Sequence, residues 1–267
     1  MLQTRKKSFH QIKIHSQYSI CEGAIKIETL KEYCKKNKIQ SVGLSDTYNL
    51  SGALEFSENI SSVGTQPIIG SQIQFKFKNT YGVIPLIAKN YAGYKNLIEI
   101  SSKAYLENVD DDQPHCSIDD LIKYSDGLIV LSGAISNLIG NLFNKGLFED
   151  LDDLIIKLNS NFKENFYLEI QRHGDQNEKE FEIYNLNLSK KYKIPIIATN
   201  EVYYLDKEMH EAHDALMCIG QKTYVNDQKR LKLTNHHYLK SSVEMAEIFK
   251  DLPEALENNY NLPFRCN

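Results

Sequence analysis

No stretch of about 18 consecutive apolar residues occurs in this chain, so it offers no membrane-spanning helix. Charged and polar residues break every early apolar run after Met1, which argues against a secretory signal. No C-x-x-C pair is present. The five cysteines (Cys21, Cys34, Cys116, Cys218 and Cys266) are scattered and odd in number, which argues against a disulfide framework or zinc ribbon and points to a reducing cytoplasmic setting. There is no basic excess: the formal net charge is -4, with no global pull toward nucleic acid or an anionic membrane, and the basic run Arg5 to Lys7 reads as a solvated end. Neither a G-x-G-x-x-G nor a Walker A loop occurs, and no linker rich in Pro, Gly or Ser divides the first 205 residues.

What is there is a globular composition: 42% of the 267 residues are hydrophobic and 25% charged, enough to bury a real core in one large α/β domain or two small ones. Short apolar runs alternate with stretches of helical period up to about residue 205. The strands expected are 11–15, 41–46, 67–75, 83–89, 127–132, 166–173 and 194–201. Helices are expected near 27–37, 51–62, 92–107, 117–124, 135–143, 147–159 and 177–192. Ser117 followed by Asp120 is close to a capping box, and Gly93 opens another helical run. That rhythm implies parallel strands with crossover helices, and without a Gly-rich phosphate loop it fits a closed or nearly closed (β/α) barrel better than an open doubly wound sheet. Residues 1–205 are taken as the barrel and 206–267 as a small helical extension.

Barrel chemistry sits at the C-terminal ends of the strands, where the loops share one mouth. Those ends carry His15, Asp46, Gln72, Ser132, His173 and Glu201. Residues two apart on a strand share a face, so Gln11, Lys13 and His15 point one way while His10, Ile12 and Ile14 point the other, which keeps His10 away from His15. His210 and His213, at helical i and i+3 spacing, read as helix surface and packing, and the doublet His236–His237 reads as surface. Tyr91, Tyr94, Tyr105, Tyr203 and Tyr204 read as core aromatics before base-stacking ones.

Nine blocks occur in a familiar order: "KIHSQYSICEGA", "GLSDTYNLSGALEF", "QPIIGSQIQF", "LIAKNYAGYKNLIEISSKAYLE", "GLIVLSGAIS", "YLEIQRHG", "IPIIATNEVYYL", "AHDALMCIG" and "FKDLPEALENN". Together they resemble the N-terminal PHP (polymerase and histidinol phosphatase) domain of bacterial DNA polymerase III alpha subunits, over nearly the whole chain. The resemblance implies a distorted (β/α)7 TIM-like barrel whose mouth, in metal-binding members, holds zinc- or manganese-type ions on His, Asp, Glu and Cys ligands.

This sequence departs from that ligand pattern repeatedly. The H-x-H block is Lys13-Ile14-His15, the Asp-His-Gly block is Asp46-Thr47-Tyr48, and Gln72 stands where a Glu is expected. Val83 replaces a His, Ala134 a Cys, and Glu201-Val202-Tyr203 an Asp-x-His. His15, Asp46 and His173 survive, with Glu201 a conservative acid. Transition-metal sites need three or four donors in fixed geometry, which valine and alanine cannot supply. An ammonium roughly 5 Å from a divalent ion would be repelled by about 6 to 7 kcal/mol at an effective dielectric of about 20. Lys13 therefore reads as a substitute for the metal, balancing Asp46 and Glu201 across the mouth; the competing reading makes it a tolerated polar residue in an unconstrained site. The resemblance implies a catalytically silent site made of Lys13, His15, Asp46, Thr47, Gln72, His173, Glu201 and Tyr203, with no cofactor. It also implies a role in DNA replication as part of a longer polymerase chain, with the proofreading exonuclease subunit as docking partner, DNA reached only through the intact holoenzyme, and no membrane contact. The alternative is a zinc- or manganese-dependent phosphoesterase or 3'-5' exonuclease working with His15, Asp46, His173 and Glu201 alone.

Overall fold

The computed structural model describes residues 7–107 and 114–267. Arg5 and Lys6 lie outside the described residues, and Lys7 is an exposed residue paired with Glu257. The first half of the chain runs β1 (Lys13–Ile14), α1 (Ile27–Asn37), β2 (Ser41–Thr47), α2 (Ala53–Ser61), β3 (Gln66–Phe77), β4 (Thr80–Ala88) and α3 (Tyr91–Leu106). Then come β5 (Cys116–Ser117), α4 (Ile118–Lys123), β6 (Leu128–Leu131), α5 (Leu138–Asn144), α6 (Phe148–Phe162), β7 (Phe166–Ile170), α7 (Glu178–Tyr192), β8 (Ile196–Ala198) and β9 (Glu201–Val202). The last residues form α8 (His210–Gln221), α9 (Ser242–Ile248) and α10 (Pro253–Asn261). Ser117 and Asp120 close a full capping box at α4. At α3 the cap is Asn90, whose side chain accepts from the Gly93 amide, so the helix begins before Gly93.

The sheet order is β8-β7-β6-β4-β3-β2-β1-β9. β8 and β9 stand at opposite ends of that order although only Thr199 and Asn200 separate them in sequence. One extended segment therefore pairs with β7 through its first half and with β1 through its second, and the sheet curls into a distorted TIM-like barrel. The sheet is not all parallel, as the alternating rhythm implied. β3 and β4 form an antiparallel hairpin over Gly70–Phe77 and Thr80–Ile87, and β4 meets β6 antiparallel. The linker between β3 and β4 is two residues long, too short for the crossover helix a parallel pair requires.

The regular part of β1 is only two residues, and this limits parity. Ile14 faces outward into a cluster with Leu30, Leu44 and Phe56, but Ile12 packs with Ile68, Ile129 and Ile197. The two isoleucines belong to different clusters, and Ile12 lies outside the regular strand. His10 bonds Ser41 and stays apart from His15, as expected. A Cβ on Gly43 would stand 2.5 Å from the Ile12 carbonyl oxygen, so glycine is what lets β1 lie this close to β2.

Residues after 205 are helical, and their apolar side chains enter the barrel's own clusters. Met245, Phe249, Ala255 and Leu256 pack with Phe166, Leu168 and Ile196, while Leu262 and Cys266 join Ile12 and Ile68. The Asn259 side chain bonds both His10 and Ala198 through backbone groups. Phe249 is fully buried, so Phe249→Ala is expected to cost about 3–5 kcal/mol and to leave one cooperative transition in chemical denaturation. A separate early transition confined to the C-terminal helices would show instead that the two parts fold apart.

Candidate functional site

β1, β7 and β9 bring three charges together at the barrel mouth. The register aligns Lys13 with Glu201 across the β1–β9 pair, and Glu169 lies on the inward face of β7. Lys13 Nζ stands 2.9 Å from Glu169 Oε1 and 2.6 Å from Glu201 Oε2, and all three side chains are buried. Burial alone would drive the ammonium toward neutrality, but the carboxylates of Glu169 and Glu201 outweigh it and hold the Lys13 pKa above the usual lysine value. Burial would likewise raise Glu201; the Lys13 charge, followed by His15, keeps it well below the ordinary carboxylate range.

Hydrogen bonds extend the cluster around the mouth. His15 Nε2 is 2.5 Å from Glu201 Oε1, and its Nδ1 is 3.1 Å from the Ser19 hydroxyl and 3.3 Å from that of Thr47. The Tyr203 ring stacks on the His15 imidazole at 4.3 Å between centroids. The Gln72 amide donates to Glu201 and lies 3.0 Å from His15 Nε2. Gln171 donates to Glu169, Thr199 and Glu201, and the Thr199 hydroxyl donates to Glu169. Ser132 accepts from the Glu169 amide. One buried oxygen, Glu169 Oε2, has no hydrogen-bond partner.

Asp46 is not part of this charge balance, contrary to expectation. Ser45 and Thr47 take the inward positions on β2, so the intervening Asp46 turns toward the loop after β1. There it accepts from the Ser16 amide, the Ser16 hydroxyl and the Ser19 hydroxyl at 2.7 Å each. Glu169 takes the place assigned to it beside Lys13. His173 also lies off the Lys13 cluster: its Nε2 is 3.0 Å from Asn200 Oδ1, and its ring stacks on His237 at 4.1 Å. Burial first, and then the neighbouring His237 and Lys240, push its pKa well below the usual imidazole value.

His237 is buried and sits beside the end of β7, correcting its reading as a surface residue; the neighbouring isolated bridge between Tyr204 and Tyr238 carries it inward. His213 is also buried, with Nε2 2.7 Å from the Glu22 carbonyl. Tyr91 and Tyr105 are exposed, so helical spacing does not make them core.

Sequence reasoning missed Glu169, Gln171 and Thr199. Applying the two-residue parity of β1 to "YLEIQRH" puts Glu169, Gln171 and His173 on one face, and that was the signal available. Thr199 lies between two strands and carried no comparable mark.

The residues present do not suit a divalent metal in the mouth. Glu201 spends both oxygens on Lys13 and His15, Asp46 is saturated by the loop, and a lysine cation occupies the centre. Val83 and Ala134 add no donor.

The PHP domain model matches residues 11–173. The chain belongs to the PHP domain family. Over 98% of its length this PHP chain is 37% identical to the DNA polymerase III subunit alpha of Borreliella burgdorferi, covering 24% of that protein. It is 33% identical to the Caulobacter vibrioides subunit of the same name, over 97% of the chain and 23% of the relative. The Vibrio cholerae subunit is 34% identical with the same two coverages. The chain thus spans about a quarter of the length of these relatives.

Lys13→Met leaves two buried carboxylates without their cation and is expected to cost about 3–5 kcal/mol, with Glu169→Gln in the same chain recovering part of the loss. Equal losses in the single and double variants would dissociate Glu169 from the effect. The pH dependence has a fixed sign. The folded pKa of Glu201 lies below its unfolded value of about 4.3, so its contribution is complete above about pH 5 and is lost as pH falls through the acid range. Lys13 is raised, so its contribution holds below about pH 10 and is lost at higher pH. Urea midpoints measured across pH check both limbs, and in Lys13→Met the acid limb is expected to flatten.

Proposed function

We propose that this chain is the PHP module of a DNA polymerase III alpha subunit, with a mouth that has exchanged metal chemistry for an internal charge cluster. The observation that carries the reading is the Lys13 ammonium held between Glu169 and Glu201 where metal-binding members place ligands. An enzyme of this fold reaches its substrate through the mouth, yet here Lys13, His15, Glu169 and Glu201 are all buried among one another. The module then serves DNA replication in the cytoplasm as a scaffold for the rest of the polymerase chain and as a docking site for the proofreading exonuclease subunit. DNA is engaged by the complete polymerase. No helix among the described residues is long and apolar enough to cross a membrane.

The competing activity, a zinc- or manganese-dependent phosphoesterase or 3'-5' exonuclease, requires His15, Asp46, His173 and Glu201 to converge. Instead Asp46 is tied to the Ser16–Ser19 loop and His173 to Asn200.

The chain incubated with manganese or zinc is expected to leave a nitrophenyl phosphodiester and a single-stranded oligonucleotide uncleaved, and to co-elute with the purified exonuclease subunit of the same replicase. Turnover that disappears in His15→Ala would overturn the silent-site reading, and failure to co-elute would remove the docking role.

A further inference from the structure

Beside Asn200 and the Glu201 backbone lies a cluster that the Lys13 ion pairs do not use. His173 follows β7, Asp175 sits two residues on in the same loop, and His237 arrives from the segment between α8 and α9. One ligand atom from each lies within 4.8 Å of the others. His173 Nδ1 and His237 Nε2 are buried and have no hydrogen-bond partner.

The remaining contacts hold each ring through its other nitrogen. His237 Nδ1 is 3.3 Å from the Glu201 carbonyl oxygen, which can only accept, so Nδ1 carries a hydrogen and Nε2 is turned toward Asp175. Asn200 donates through Nδ2 to Gln11 Oε1 and the Tyr238 carbonyl, and its Oδ1 lies 3.0 Å from His173 Nε2. The Glu201 amide donates to that nitrogen at 3.2 Å. His173 Nδ1 is left without a hydrogen-bond partner. Each imidazole is thus held through one nitrogen by neighbouring protein groups and turns the other, without a hydrogen-bond partner, toward the cluster, the arrangement that orients histidine as a metal ligand.

Two carboxylates face these nitrogens, each at ion-pair distance and outside hydrogen-bond distance. Asp175 Oδ2 is 3.7 Å from His237 Nε2, and Glu178 Oε1 is 3.7 Å from His173 Nδ1 while accepting from the His173 and Gly174 amides. The nearest cation, Lys240, is engaged by Asn200 Oδ1 and the His236 carbonyl, on the Nε2 side of the His173 ring. Two buried imidazole nitrogens without hydrogen-bond partners and two carboxylates thus face one another in one pocket. Imidazole donors with a carboxylate suit zinc-type ions and not magnesium or calcium.

We propose that His173 Nδ1, His237 Nε2 and an Asp175 oxygen bind one divalent transition-metal ion of the zinc type. The ion ties the loop after β7 to the segment between α8 and α9. The site shares no side chain with the Lys13, Glu169 and Glu201 cluster and is structural in character. The two rings are nearly parallel, 9° apart. Zinc–nitrogen bonds of about 2.0–2.1 Å therefore require one ring to tip out of the stack as the three ligands draw together.

The test uses the whole chain, stripped with chelator and titrated with zinc sulfate alone, followed by calorimetry and by elemental analysis after gel filtration. One equivalent is expected, with a rise in thermal midpoint. His237→Gln, which keeps a group able to donate to the Glu201 carbonyl, and Asp175→Asn are each expected to weaken zinc at least tenfold while the circular dichroism spectrum is unchanged. His15→Ala is expected to retain the equivalent. Absence of uptake overturns the site. So does uptake that survives in both His237→Gln and Asp175→Asn, the result if zinc sits on the free cysteines, and so does loss of the equivalent in His15→Ala.

Discussion

The structure depends on one buried ammonium facing two carboxylates. Lys13 could not be left alone at this depth, because an unpaired charge in a low-dielectric interior loses far more hydration than packing returns. Glu169 and Glu201 supply the attraction that keeps it charged, and each is in turn held by neighbours: Gln171 and Thr199 on Glu169, His15 and Gln72 on Glu201. These groups come from β1 and the residue after it, β3, β7 and the residue after it, β9 and the turn before β9. The cluster therefore joins parts of the sheet that backbone hydrogen bonds link only through intermediate strands.

Much of this was legible in the sequence. α1 was expected over residues 27–37 and is found there, and most other helices and strands fall within a few residues of their expected bounds. Helical and strand periodicity are local, and burial of an apolar face enforces them. The antiparallel hairpin of β3 and β4 was less accessible, since direction depends on the connection, and two apolar runs close in sequence read alike either way. β5 was too short to carry a pattern.

At the site, parity on β1 separated His10 from His15 and placed Lys13 at the mouth. The same rule assigns Asp46 to the opposite side of β2 from Thr47, but only once the sheet register shows which face is inward. The partner of Lys13 was misread for that reason. His237 was beyond reach, because a histidine doublet in a polar segment gives no local sign of burial. Its place comes from a bridge between Tyr204 and Tyr238, more than thirty residues apart in sequence.

The segment from Ile196 to Val202 forms both ends of the sheet. These seven residues form the seam that closes the ring, pairing with β7 through one half and with β1 through the other. Thr199, Asn200 and Glu201 at the middle of the seam are the residues through which the mouth and the His173–His237 pair are held. Parting the sheet at this stretch would withdraw groups from both polar clusters at once.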